Sequence, residues 1–199
     1  MVETQVNVSV SVMAHPSRKA WVDDLLADLG DVPVAWDTDG VEWHTGDAAW
    51  RLYDPDADWH VVIQDDAVLC SRFTERLADT LGQAPKTPVS LYLGTGRPVS
   101  WQRRLRGYVS RCTDGWIRLP AILWGVAVAL PTEHVEPMLR VAAKLPIRQY
   151  DARISQVYEM YRPGTRVWYP MPSLVDHRDG DSLLGHGGVP RRAYRWIDG

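Results

Sequence analysis

The sequence predicts an α/β fold, a three-layer sandwich around a mainly parallel central sheet. Three observations lead there. Short apolar or β-branched runs alternate along the chain with segments that carry a helical apolar stripe. One run, Val61, Val62 and Ile63, is apolar at successive positions, as a strand covered on both faces must be, and it ends abruptly at Gln64, Asp65 and Asp66. The length, 199 residues, suits one domain with a sizeable core, so residues 1–199 are read as a single domain.

Composition narrows the class. A hydrophobic fraction of 45% with 24% charged residues is that of an ordinary soluble globular chain. The net charge of -3 carries no overall nucleic-acid signal, so any polyanion site must be local. The two cysteines, Cys70 and Cys112, fit neither a disulfide framework nor a zinc motif and are expected to be free thiols in a reducing cytosol. Residues 1–11 alternate as a strand does and lack the basic start, apolar run and cleavage site of a secretory signal. The longest apolar stretch, 121–130, is too short to span a bilayer. A cytoplasmic protein without membrane contact is expected. Ten Trp and eight Tyr against one Phe offer flat faces with a polar handle, suited to stacking on a base or sugar, although most are expected to serve as core and boundary residues.

Residues 6–13 read as the first strand, with Val6, Val8, Val10 and Val12 on one face. Pro16 stops it, and Ser17 is the expected N-cap of a helix over 19–29 that Gly30 closes. A strand, a polar loop and a helix start together present backbone donors to a phosphate, which makes Arg18 a candidate contact; a solvated arginine fits the same pattern. Residues 32–36 form a second strand with Asp37 at its tip, where an acid commonly meets a ribose or base edge, with a turn-forming acid as the competing reading. Asp39, directly before Gly40, reads as a turn residue. A short helix is expected over 46–53. The alternating acids at 54, 56 and 58 lack the glycine and distant Glu of a calcium loop and are read as a solvated turn.

Beyond the acidic tip, Phe73, Leu77 and Leu81 mark a helix, 82–88 a loop and 89–93 a strand. Gly94 and Gly96 do not make a P-loop, since no Lys-Ser/Thr follows. Residues 101–111 are the most basic in the chain. Arg103, Arg104 and Arg106, interleaved with Trp101 and Tyr108, suit an anionic acceptor by charge and stacking, with a solvated helix face as the competing reading. Within the apolar run 117–130, Gly125 beside Trp124 permits close approach of a ligand or backbone. Thr132 is the expected N-cap of a helix to about residue 143, with His134 and Glu136 on its surface. The next helix opens at 149–154 with Asp151 in its first turn, favoured there by the dipole, and buries Ile154, Val157, Tyr158 and Tyr161. Residues 167–170 are expected to be the last strand. The tail, 178–199, carries Arg191, Arg192, Tyr194, Arg195 and Trp196 and is expected to pack near the polar edge of the sheet.

The strand ending in Gln64, Asp65, Asp66 and Ala67 resembles the central strand of the nucleotide-sugar glycosyltransferases of the GT-A type, which ends in Asp-any-Asp or Glu-Asp-Asp. It is most similar to the Glu-Asp-Asp-Ala form of the lipopolysaccharide-type glycosyltransferases and to small glycosyltransferases carried by bacteriophages. The likeness continues in motif order, from His15-Pro16-Ser17-Arg18 through Asp151 to Pro172-Ser173-Leu174-Val175-Asp176-His177. It implies a GT-A-like, Rossmann-like sheet with nucleotide binding at its carboxyl edge, and transfer of a sugar from a nucleoside diphosphate sugar, expected to be a UDP-sugar, to a hydroxyl. By resemblance His15, Pro16, Arg18, Asp37, Gln64 and Asp65 contact the donor, and Trp124, Gly125 and Val126 line the donor-sugar pocket. In the same way Asp66 and His177 hold Mn²⁺ or Mg²⁺, and Asp151 is the general base. Gln64 departs from the pattern, because a neutral amide bonds a ribose hydroxyl but is a poor ligand for a hard cation.

The preferred acceptor is a hydroxymethylated base in phage DNA, with a glycan or protein hydroxyl second; the net charge counts against DNA and the arginine-rich segment for it. A nucleotidyltransferase is an alternative, for which a glycine-rich, lysine-containing triphosphate loop near the first strand is missing. A non-catalytic nucleotide- or nucleic-acid-binding module is another. The transferase reading requires the Asp66 carboxylate and the His177 imidazole, remote in sequence, to face one diphosphate cavity.

Overall fold

The computed structural model describes residues 6–178 and 190–199. In chain order these hold β1 (Val8–Ala14), α1 (Lys19–Leu29), β2 (Val34–Trp36), α2 (Glu42–Trp50), β3 (Trp59–Gln64), β4 (Ala67–Leu69), α3 (Phe73–Gln83), β5 (Val89–Ser90) and α4 (Val99–Arg111). Then follow β6 (Trp116–Leu119), β7 (Ala127–Pro131), α5 (Thr132–Ala142), α6 (Tyr150–Tyr161), β8 (Val167–Pro170) and β9 (Val175–His177). Seven strands make one sheet in the order β2-β1-β3-β7-β5-β8-β6, and β4 and β9 make a separate two-stranded sheet. In the large sheet β2, β1, β3, β5 and β8 run one way, while β7 and β6 run against them. The α/β class and the mainly parallel central sheet flanked by helices are as expected.

The centre of the sheet is the apolar run read from the sequence. Val61, Val62 and Ile63 are each 0% exposed, which requires cover on both faces. On one face α2 and α5 pack on β3 and both touch α6. His60 points into this layer. Its Nε2 lies 3.1 Å from Ser11 Oγ and 3.3 Å from the Ala49 carbonyl of α2, and its Nδ1 lies 2.8 Å from Ser9 Oγ. Burial holds it neutral and pushes its pKa down to about 4, against the opposing pull of its hydrogen bonds.

Several local expectations are corrected. Helix α2 begins at Glu42, four residues ahead of the expected start, and runs through Gly46. A Cβ at Gly46 would overlap the Tyr150 ring, so tertiary packing outweighs glycine's poor helix propensity. Ser17 does not cap α1. Residues Pro16–Arg18 form a 3-10 turn in which His15 Nδ1 accepts the Ser17 N–H (3.2 Å). Thr132 is the first helical residue of α5 rather than its cap. His134 is buried at 4% exposure, 3.0 Å from Tyr158 Oη, while Glu136 lies at the surface as expected. Tyr161 is 59% exposed; the buried stripe of α6 is Tyr150, Arg153, Ile154, Val157 and Tyr158, whose phase runs out a turn earlier. The strand expected over 89–93 is short, because beyond Ser90 the chain turns to bond the 173–175 segment: the Leu91 carbonyl accepts both the Leu174 and Val175 N–H groups. Finally, β8 is not the last strand. A further strand, β9, follows it and pairs with β4, and that pairing builds the site.

Candidate active site

Strands β1 and β3 are parallel and in register to their ends, with Val12 beside Ile63 and Met13 beside Gln64. The next residues along each chain therefore meet at the carboxyl edge. The Asp65 Oδ2 accepts the His15 N–H (2.7 Å). The 3-10 turn that follows swings Arg18 back over the same edge, where Nη1 bonds Asp65 Oδ1 at 2.6 Å and Asp66 Oδ2 at 3.0 Å. Both Asp65 oxygens are thus engaged, and this carboxylate ties down the 15–18 loop.

A two-residue turn then sends the chain into β4. Its antiparallel pairing sets Ala67 against His177, which brings the imidazole beside the acid one residue earlier. His177 Nε2 lies 3.4 Å from Asp66 Oδ2. Burial raises the cost of charge on Asp66, but the hydrogen bond and charge of His177, with Arg18 and Arg191, outweigh it and hold the carboxyl below its ordinary value. Although both residues are buried, Asp66 Oδ1 and His177 Nδ1 have no hydrogen-bond partner among the described residues. Orphaned polar atoms cost free energy unless a ligand completes them. A divalent cation is one such ligand, with Asp66 offering an oxygen and His177 a nitrogen. Among the described residues no third His, Cys, Asp or Glu joins them, so the remaining places would fall to phosphate oxygens and water.

Asp66 and His177 open onto a cleft of about 450 Å³. His15, Arg18, Asp37, Gln64, Asp65, Trp124, Gly125, Val126 and Asp151 line the same cleft, so the structure brings most of the residues singled out from the sequence to one place. Pro16 is exposed in the 3-10 turn and is not part of the lining. Trp101, Arg103, Arg104, Arg106 and Tyr108 also lie outside it, on α4, whose arginines are exposed; Arg104 rests on the Trp101 ring at 5.6 Å.

Within the cleft the residues have distinct surroundings. Asp37 Oδ1 accepts the N–H groups of Asp39 (3.1 Å) and Gly40 (2.9 Å), closing its own loop. Trp124 is fixed by its Nε1 donating to the Arg97 carbonyl (2.8 Å) and by edge contacts with Tyr92 and Tyr169. The Val126 carbonyl accepts the Gln64 N–H (2.8 Å), so the 124–126 segment continues the sheet edge. Gly125 is required where it stands: a Cβ there would sit 2.7 Å from Tyr150 Cδ1 and 3.3 Å from Gln64 Nε2. Asp151, in the first turn of α6, is pushed up by burial against the pull of the Ala152 N–H.

Several lining residues, among them Glu42, Arg97 and Gln149, were not singled out from the sequence. Glu42 opens α2, and burial together with the Asp151 charge pushes its carboxyl up to about 7, against hydrogen bonds from the Tyr150 backbone and the Gln64 side chain. Its only signal was an acid soon after the strand-end Asp37. Arg97 and Gln149 come from loops, where no periodicity marks a residue that faces a ligand. Arg191 reaches the cleft from the described end of the tail, which is held by Ala193 N–H to Asp176 Oδ1 (2.7 Å) and Tyr194 Oη to Gln102 Oε1 (2.6 Å). Part of the tail expected to pack near this edge, residues 179–189, lies outside the described residues. No helix of the described residues is long and apolar enough to cross a membrane.

No protein-family model matches the chain, and no curated protein gives a significant match to its sequence. Among solved structures, A197 from STIV aligns over 86% of both chains at 14% identity with a TM-score of 0.53, a likeness of fold. The 4-diphosphocytidyl-2C-methyl-D-erythritol synthase of Anaerococcus prevotii aligns over 83% of this chain and 86% of its own, at 8% identity and a TM-score of 0.45. A glycosyltransferase involved in glycosylation of the major capsid of PBCV-1 aligns over 87% and 94%, at 10% identity and a TM-score of 0.46. The last two likenesses are too weak to argue from.

Proposed function

We propose that the chain is a glycosyltransferase that moves a sugar from a nucleoside diphosphate sugar, a UDP-sugar, to an acceptor hydroxyl. One observation carries the reading: Asp66 and His177, distant in sequence, meet at 3.4 Å on the wall of a ligand-sized cleft at the carboxyl edge of the sheet, each with an unpartnered polar atom.

In this reading Asp37 and Gln64 bind the nucleoside and Arg18 faces the diphosphate. Asp66 and His177 hold a Mn²⁺ or Mg²⁺ ion, which when bound supplies positive charge for the departing diphosphate. Trp124, Gly125 and Val126 border the sugar. Asp151 takes the proton of the acceptor hydroxyl as its oxygen bonds the anomeric carbon, and the bond from that carbon to the diphosphate oxygen breaks with its electron pair leaving on the diphosphate. The raised pKa of Asp151 suits a base, since a more basic carboxylate accepts the proton more readily. A hydroxymethylated base in DNA is the acceptor we favour, with the exposed arginines of α4 contacting its phosphates; a glycan or protein hydroxyl is the second candidate.

The test is a panel of sugar nucleotides incubated with the protein, with and without Mn²⁺, alone and with hydroxymethylated DNA. Release of UDP that disappears in Asp66→Ala and in Asp151→Ala, each shown to be folded, supports transfer. Nucleotide binding without turnover for every donor, metal and acceptor would instead identify a binding module.

A further inference from the structure

Apart from Asp37 and Arg97, the charged residues lining the cleft fall into two groups. Arg18, Asp65, Asp66, His177 and Arg191 form one interacting group, in which positive side chains are drawn to the paired aspartates. Glu42 and Asp151 form another, in which the Gln64 side chain hydrogen-bonds Glu42 and the Asp66 charge acts on it more weakly. Both acids line the cleft, and each is only partly exposed. Their placement is enforced by packing. The Tyr150 ring, 0% exposed, fills the space that side chains at Gly46 of α2 and Gly125 would need, which docks the start of α6 against α2. This puts the Tyr150 backbone next to the Glu42 carboxylate and Asp151 one residue further on.

We infer that Glu42 is a specificity-determining residue: with Asp151 it makes an acidic wall that accepts hydrogen bonds from the hydroxyls of a neutral sugar and excludes sugars that carry a carboxylate. This rests on the donor assignment proposed above. Above pH 7, where Glu42 is ionised, its carboxylate is an acceptor only, so a sugar hydroxyl or ammonium group satisfies it whereas a second carboxylate supplies no donor. Two like charges a few ångströms apart in a partly dehydrated cleft repel by an amount that matters for binding. Asp66, which lines the same cleft, has a buried Oδ1 with no hydrogen-bond partner among the described residues.

The experiment is calorimetric titration of the intact protein at pH 8, where Glu42 is ionised, with Mn²⁺ present, by UDP, UDP-glucose and UDP-glucuronate. The wild-type protein is expected to bind UDP-glucose at least about tenfold more tightly than UDP-glucuronate. Glu42→Gln is expected to narrow that ratio at least roughly threefold, whereas Glu42→Asp, which keeps the charge, retains most of it. Equal affinity of the wild-type protein for the two sugars overturns the inference without recourse to any variant, as does an unchanged ratio in a folded Glu42→Gln protein. In either case UDP binding still stands for the donor assignment. If none of the three nucleotides binds, the donor assignment fails and this inference falls with it.

Discussion

Glu42 shows how much a single side chain's setting decides. Its carboxyl titrates near 4.5 in an unfolded chain and near 7 in the folded one, so between those values the folded protein holds a proton that the unfolded chain releases. The sign follows: its stabilising contribution is complete below pH 4.5 and is lost as the pH rises through 7. A shift of this size corresponds to at most about 3 kcal/mol, and to less because Glu42 is partly exposed. Glu42→Gln removes the charge but keeps the shape. We expect it to raise the melting temperature at pH 8 by roughly 2–6 °C, with the two proteins converging as the pH falls toward 4.5. Thermal denaturation across that pH range checks this, and parallel curves at every pH would remove Glu42 from the account. The paired aspartates show the same dependence on setting. Asp65 and Asp66 are indistinguishable as letters, yet Asp65 has both oxygens engaged by the His15 N–H and Arg18 while Asp66, bonded to Arg18 through Oδ2, keeps a buried Oδ1 without a partner among the described residues.

At the scale of elements, the start of α6 is set by what surrounds Tyr150. Gly125→Ala would place a methyl group 2.7 Å from the ring, forcing Tyr150 and the first turn of α6 to move with Asp151. Overpacking of this kind costs about 1–3 kcal/mol. The urea midpoint should fall accordingly, and transfer should slow by more than the lost folded fraction accounts for; a variant as stable and active as the wild type would mean that this contact is soft. Helix α4 makes a separate prediction. Its apolar face, Leu105 and Val109, is buried, so Arg103 and Arg104 can be reversed without disturbing the core. If α4 contacts DNA phosphates, Arg103→Glu with Arg104→Glu should weaken DNA binding and reduce the slope of log affinity against log salt by about 2. An unchanged slope would leave α4 as a solvated face.

For the whole molecule, the cleft is closed by segments distant in the chain. β9 enters late yet supplies His177, and the chain end crosses back to bond Asp176, Gln102 and Ser71, the last through Asp198 with a 2.9 Å hydroxyl contact. Deleting residues 190–199 should therefore lower the melting temperature and weaken UDP binding together, because Arg191 lines the cleft while its neighbours brace β9. Calorimetry and thermal denaturation of the truncated chain test this; a loss of stability with donor affinity intact would make the tail a brace only.

Local chemistry was legible in the letters. Gly30 marked the end of α1, apolar periodicity placed α3 closely because a helix that buries one stripe must repeat it, and the apolar run into Asp65 and Asp66 marked the acidic strand tip. Tertiary structure alone decided which acid keeps a free oxygen, that β9 exists and lies beside β4, and that Glu42 shares a cleft with Asp151. Those facts depend on strand register and helix docking between segments far apart in the chain. Such pairings arise from the packing of many side chains at once, and no short stretch of sequence encodes them.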